Sequence, residues 1–561
     1  MSFLPHFISS LQSTANSNQD VISSESQRKR YASCYAHLVS EKTWLTGNSP
    51  YASSIHILDD DSLLNIFYLY RLDLINQNMD MDHAVHLSGG GRWVGKRWWY
   101  KFAHVCQKWR NLILGSASYL GLSLVCTYGT PVADMLAHSP RLPLSIDYFA
   151  PLSGNTDTFD VNGKSDKFTV EDEENLILAL KQRDRICRLR LRVPVPSLQK
   201  FLKTLDDEYP ILEYLILALP SISDTVNATF RLPEALRAPR LRHLALIGFT
   251  LPIGCRLLTA AVDLVVLWLR MCNPSTYFRP NVLLQWISSM SRLETLVIEF
   301  LSSRHFPDAE SQLTQTPIIT RIALPNLLFF KFIGISTYLD TLAHWIIAPR
   351  LEGILLIFAS QPTFSIPSLL EFMDTTENLK YDSANITLSG KVVLVKAYLH
   401  EQVDGQFAFF IGAECTPLDS HVSIIAQILS SLGQRLSAVE HLTLDYVEGF
   451  HGQSHDHRNV VNRTEWRRLL RSFFNLKTLR IESSVVEDLS RCLRLEDGEH
   501  PLELLPELQE LAYSGSGDAN SDAFSSFIDA RQNAGRPVTL VSPGPKPNFL
   551  HLVFSTDNVL E

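Results

Sequence analysis

Apolar residues recur along this chain with two different periods. Between residues 55 and 122 the period is helical. Leu63, Ile66, Phe67 and Tyr70 step by three and four, and so do Trp98, Phe102, Val105, Trp109 and Leu112. That spacing lines one face of a helix. Asp59-Asp60-Asp61-Ser62 precedes the first run, and aspartates at a helix start cap free N–H groups and complement the dipole. Gly89-Gly90-Gly91 separates the two runs. Three glycines cannot hold a helix at ordinary cost, so a loop is expected near 73–92. A phosphate-cradling loop would need a preceding strand and a Lys-Ser/Thr pair, and neither is present.

From residue 184 to 516 the period changes to that of strands. The unit L-x-x-L-x-L starts at Ile186, Leu212, Leu241, Leu264, Leu293, Leu327, Leu351, Val439, Leu476 and Leu508. The start-to-start spacings are 26, 29, 23, 29, 34, 24, 88, 37 and 32 residues, mostly in or near the range of a leucine-rich repeat. The fold class expected is α/β: a helical unit followed by an irregular, horseshoe-like leucine-rich solenoid. The 88-residue gap, 357–438, holds degenerate units or an insertion. The ninth position of the unit normally carries Asn or Cys to bond the turn backbone. Only Cys272 fits here, so the array is irregular. The domains expected are a tail, 1–54; a helical domain, 55–122; a connector, 123–183; the solenoid, 184–516; and a C-terminal cap, 517–561.

Composition narrows the classes. Hydrophobic residues make up 45% and charged residues 19%, which is enough apolar material for a large core. The Ser-, Asn- and Gln-rich run Ser10 to Ser26 is the exception and is expected to lack one. With 50 basic and 59 acidic residues the net charge is −9, so a global grip on a polyanion is excluded. Eight cysteines are scattered without a C-x-x-C pair, which excludes a disulfide framework and fits a reducing compartment. No secretory signal is evident. The longest apolar stretch, Leu257 to Leu269, spans 13 residues, short of the roughly 20 a membrane helix needs. A cytoplasmic or nuclear protein is expected.

Two pieces of the helical domain resemble an F-box. Ile57-Leu58-Asp59-Asp60-Asp61-Ser62-Leu63-Leu64-Asn65-Ile66-Phe67 is similar to the family's L-P-x-D/E-x-L-x-x-I-F, without its proline. Val105-Cys106-Gln107-Lys108-Trp109-Arg110-Asn111-Leu112 is similar to V-C-R-x-W-R-x-L. The continuation Leu120 to Tyr148 and the late Phe527-Ile528-Asp529-Ala530-Arg531 resemble the large fungal F-box group. The resemblance implies a non-catalytic substrate-recognition subunit of a Skp–cullin–F-box ubiquitin ligase. The F-box would hold a Skp-type adaptor joined to a cullin-RING ligase, and the solenoid a protein substrate. The adaptor-binding residues it implies are Leu58, Leu63, Leu64, Ile66, Phe67, Val105, Cys106 and Trp109. A leucine-rich interaction scaffold outside any ligase is the alternative.

Strand alternation sorts the repeat residues. Leucines at positions four and six point to the core, and positions three, five and seven face outward. This yields Arg188, Arg190, Arg192, Tyr214, His243, Trp268, Arg270, Lys331 and Arg480 as substrate-binding candidates, with Glu299, His441, Asp445 and Glu482 beside them. Trp and Arg are the residue types of interface hot spots. Arg188, Arg190 and Arg192 form a positive stripe that suits an acidic or phosphorylated segment, or else keeps an exposed strand edge soluble. Residues 92–119 interleave aromatics with Arg92, Lys96, Arg97, Lys101, Lys108 and Arg110. That pattern binds single-stranded nucleic acid, but helical spacing makes these rings core or interface, so nucleic acid is not expected. His451, His455, Asp456 and His457 could ligate a metal only if their polar loop folded around it. A metal-dependent enzyme built on them is the second alternative. No cofactor is expected, and no catalytic signature is present.

Overall fold

The computed structural model describes residues 58–85, 98–149, 168–219, 230–252, 254–272, 277–300, 321–359, 364, 366–376, 378–389, 392–399, 407–415, 421–447, 463–482, 485–495, 499–513 and 523–541, without the side chains of 73–85, 434, 446 and 447. The segment 1–54, the triple glycine and the histidine loop 451–457 lie outside the described residues. The chain divides into two compact units, residues 1–72 and 73–561. The helical segment 55–122 is therefore shared between them.

Helix α1, Asp60–Val85, begins in the first unit. Its start follows the acidic run. The Ser62 backbone N–H donates to Asp59 Oδ1 at 2.7 Å and its hydroxyl to Oδ2 at 3.0 Å. These bonds from Ser62 hold the Asp59 carboxyl below its ordinary value. The helix continues to Val85, so residues 73–85, expected as loop, are helical. No Gly or Pro interrupts the chain before Gly89, and nothing in the backbone stops the helix earlier.

The second unit opens with two short helices, α2 Trp98–Ala103 and α3 Gln107–Gly115. Cys106 caps α3 by accepting the Trp109 N–H at 3.5 Å. Phe102 sits 5.9 Å from both Trp98 and Trp109, ring to ring. The Trp99 indole N–H donates to the Ser123 carbonyl at 3.3 Å, which ties α2 to the first strand.

One mixed sheet of 16 strands organises the rest. Its strands are β1 Leu124–Cys126, β2 Leu144–Phe149, β3 Ile186–Arg192, β4 Tyr214–Ala218, β5 His243–Ile247, β6 Val266–Met271, β7 Thr295–Phe300, β8 Phe329–Gly334, β9 Gly353–Phe358, β10 Ser383–Ser389, β11 Val392–Tyr398, β12 Phe409–Glu414, β13 His441–Val447, β14 Thr478–Ile481, β15 Glu510–Tyr513 and β16 Thr539–Val541. Each of the ten L-x-x-L-x-L units carries one of them. The first nine lie side by side in chain order, all parallel. Two strands, β1 and β2, occupy the segment read as a connector, so the sheet begins at Leu124 rather than near residue 184.

The 88-residue gap holds a three-stranded meander. The sheet order there is β9-β12-β11-β10-β13. Strand β12 runs parallel to β9, β10 runs parallel to β13, and β11 is antiparallel to both of its neighbours. An odd number of antiparallel strands restores direction, so the parallel ladder resumes at β13 and continues to β16.

Among the described residues helices return the chain at most of the parallel crossovers, though none is described between β4 and β5 or between β7 and β8, and the right-handed crossover rule places them on one face of the sheet. Proline starts three of them, at Pro196, Pro280 and Pro367, where its missing N–H costs nothing. Helix Val170–Leu180 starts with a capping box. Thr169 Oγ1 accepts the Asp172 N–H at 3.1 Å while Asp172 Oδ2 accepts the Thr169 N–H at 3.1 Å. Against the helices pack Leu189, Leu191, Leu217, Leu246, Leu269, Ile298, Phe332 and Leu356, all fully buried. The turn asparagine absent from the ninth position is supplied on the entry side. Asn326 Nδ2 donates to Ser291 O at 2.9 Å and Asn475 Nδ2 to Ser437 O at 2.8 Å, each bridging to the turn of the preceding unit.

Candidate functional site

Alternate strand residues lie on the face away from the crossover helices, here the far face, and pairing registers join them into rows. One row runs Ser145, Arg188, Tyr214, His243, Val266, Thr295, Phe329. The next runs Asp147, Arg190, Ile216, Ala245, Trp268, Val297, Lys331, Leu355. A third contains Ile247, Arg270, Glu299 and Ile333, with Phe149 and Arg192 paired at its start.

The candidates on β3 to β8 thus share one surface. The Arg188 guanidinium lies 6.0 Å from the centre of the Tyr214 ring, which lies 5.4 Å from the His243 ring. Arg190 Nη1 meets Asp147 Oδ2 at 3.2 Å, and its guanidinium lies 4.8 Å from the Phe149 ring. Arg192 lies 5.5 Å from the same ring. Burial, and then the neighbouring Arg270 charge, lower the Arg192 guanidinium to about 10.

Glu299 is the centre of a buried triad. It is fully enclosed, with the Arg270 Nε on Oε2 and Lys331 Nζ 2.8 Å from Oε1. Burial opposes its ionisation, but Arg270 and Lys331 prevail and hold its carboxyl at about 2. A buried pair of this kind adds little stability by itself, whereas removal of one partner is strongly destabilising. The Arg270 guanidinium also lies 5.4 Å from the Trp268 ring. The Trp268 Nε1 is buried without an acceptor, so the half-buried Trp268 carries an unused donor beside the buried Ala245 and Val297 of its row.

This face is more enclosed than an open wall. Arg190, Arg192, Arg270, Glu299, Lys331 and Glu482 are buried, and Arg188, Tyr214, His243, Trp268, Arg480, His441 and Asp445 are half-buried. The arginine stripe does not guard a sheet edge, because β2 and β4 flank β3 on both sides. Arg480 is not brought to the group. It sits on β14, six strands beyond β8, about 29 Å along the sheet at strand spacing, with its Nε 3.6 Å from Glu482 Oε1. Asp147 and Phe149 belong to the face but carry no L-x-x-L-x-L signal. The alternation of Leu144, Ile146 and Tyr148, all buried, is the feature that marks their strand.

The adaptor candidates divide by exposure. Leu63, Phe67 and Trp109 are buried core. Leu58, Leu64, Ile66 and Cys106 are half-buried, and Val105 is 56% exposed. Trp98 and Trp99 are buried as well, which removes these rings as stacking platforms for bases, although Lys101, Lys108 and Arg110 are exposed. Among the described residues no group of three or more His, Cys, Asp or Glu is placed to hold a metal ion. No described helix is long and apolar enough to cross a membrane. No protein-family model, curated protein or solved structure matches this chain.

Proposed function

We propose that this protein is the substrate-recruiting subunit of a Skp–cullin–F-box type ubiquitin ligase, with a degenerate F-box and an irregular leucine-rich solenoid. In this reading the protein does no chemistry itself. Its sheet holds a protein substrate near the ligase's charged E2, which raises the effective concentration of the reacting lysine. One observation carries it: part of the F-box-like motif stays accessible to a partner although Leu63, Phe67 and Trp109 are core. Leu64 and Ile66 keep exposure on α1, and Val105 is among the most exposed large apolar residues of the described chain. The far face supports the second half, with Trp268, Tyr214 and arginines of the types that dominate interface hot spots.

The test is affinity purification of the full chain and of a Leu64→Glu, Val105→Glu variant. Phe67 is unsuitable for substitution, because it is core. Wild type is expected to retain a Skp-type adaptor and a cullin, and the variant to lose both with an unchanged melting temperature. Retention of far-face partners without adaptor or cullin favours the scaffold reading.

A further inference from the structure

Helices α2 and α3 present a surface of one charge. From His83 to Ala133 the sequence holds no Asp or Glu, although 59 of the 561 residues are acidic. The same stretch holds Arg92, Lys96, Arg97, Lys101, Lys108 and Arg110. Lys101, Lys108 and Arg110 are exposed in the structure, and so is His104. Helical residues advance by about 100° each. Gln107, Lys108, Arg110 and Asn111, all exposed, therefore share one arc of α3, and the buried Trp109 and Ile113 lie on the opposite arc. The Arg110 Nε donates to the Ala103 carbonyl at 3.0 Å. That bond sets a guanidinium at the last carbonyl of α2, where the helix dipole favours a cation. It also fixes the charge next to the turn that carries His104 and Val105. Val105, 56% exposed, thus has a held cation beside it, with Lys101 and Lys108 on the helices that lead into and out of its turn.

We infer that the α2–α3 face docks an acidic protein segment, with an apolar side chain covering Val105 and carboxylates meeting Lys101, Lys108 and Arg110. The inference rests on the proposed reading only in taking this face as a partner interface, and it adds the charge of what docks there. An exposed apolar residue within a polar rim is the anatomy of a protein interface. Charges in such a rim speed encounter and exclude wrong partners more than they add affinity. A merely solvated helical face mixes both signs, whereas this one keeps a single sign on a chain of net charge −9. Nucleic acid fits less well. Single strands stack their bases on exposed rings, but Trp98, Trp99 and Trp109 are buried, which leaves Tyr119 as the exposed ring among the described residues 98–121.

Binding of fluorescent probes to the full-length protein tests this directly. One probe is a short peptide of Asp and Glu with spaced leucines. Its controls are the same peptide with Asn and Gln in place of the acids, and single-stranded oligo-dT. At 0.1 M salt the acidic peptide is expected to bind at least about tenfold tighter than either control. The advantage over the Asn/Gln peptide is expected to vanish at 1 M salt, where the screening length has fallen from about 10 Å to about 3 Å. The Lys101→Glu, Lys108→Glu variant is expected to lose that advantage with an unchanged melting temperature, since both residues are exposed. A photo-crosslinker on the acidic peptide is expected to label 98–119 of the wild-type chain, so one arm needs no variant to fold. Equal binding of the two peptides, an advantage that survives charge reversal, labelling elsewhere, or tighter binding of the oligonucleotide overturns the inference. Capture of adaptor and cullin is read separately. Peptide preference without that capture removes the ligase and keeps this interface, and capture without peptide preference does the reverse.

Discussion

At the scale of single residues, Glu299 shows how a buried charge is held. An uncompensated carboxylate inside a protein gives up its proton only at high cost, but Arg270 and Lys331 reverse that preference and keep it ionised down to about pH 2. The folded value lies below the ordinary 4.5. The stabilisation is therefore complete above about 4.5 and is lost as pH falls towards 2. The full shift corresponds to about 3 kcal/mol. Urea unfolding between pH 6 and pH 2 is expected to show this loss. Glu299→Gln removes the carboxyl's part of that acid slope and lowers stability at neutral pH by about 3–5 kcal/mol, because Arg270 and Lys331 are left buried together. An unaltered slope in the variant would assign the acid loss to other carboxylates. Sequence alternation placed Glu299 on the correct side of its strand. It could not show that the side chain is enclosed, because enclosure comes from β6 and β8.

Among the elements, helix Val170–Leu180 and the meander differ in how far local rules reach. The helix is written locally. Thr169 and Asp172 stand three apart, and Asp172 also accepts the Gly129 N–H at 2.8 Å, which fastens the helix to the turn after β1. Thr169→Ala is expected to cost about 1 kcal/mol, read as a shift of the denaturation midpoint with an unchanged m-value. Strands β10 to β12 are written less clearly. Ala384, Ile386, Leu388, Val393, Val395, Ala397, Phe409 and Ile411 alternate and are buried, but they do not spell L-x-x-L-x-L. Their order in the sheet, reversed relative to the chain, is set by hairpin pairing that no motif records. The end of α1 belongs here too. Periodicity located its start, but its end had to be sought at the next breaker, Gly89, and not at the first polar residues.

On the scale of the whole sheet-bearing unit, strands stacked beside their sequence neighbours make stability a sum of neighbouring interfaces. Among the described strands the meander is the one place where that sequence of neighbours is broken, and β11 there bonds antiparallel strands on both sides. Proline within it removes a ladder donor. Val395→Pro is therefore expected to uncouple β1–β9 from β13–β16 and to turn one unfolding transition into two by calorimetry. A single transition shifted to lower temperature would show that helix packing alone couples the halves.

Sequence alone determined the periods: helical from 55 to 122, strand-like in ten units from 184 to 516, and hence a mixed α/β chain with leucines on one side of each strand. Those features follow from backbone geometry, which acts over a few residues. The F-box-like motifs, too, are local strings, and the adaptor role they imply stands as a proposal with its test. Tertiary structure decided the rest. It brought β1 and β2 into the sheet and reversed the meander. It sorted Leu63, Phe67 and Trp109 into the core while leaving Val105 exposed, and it closed Arg270, Glu299 and Lys331 into one triad while leaving Arg480 far away. Each of these depends on which strand lies next to which and on what covers a side chain. Those are contacts between distant parts of the chain, and no local pattern encodes them.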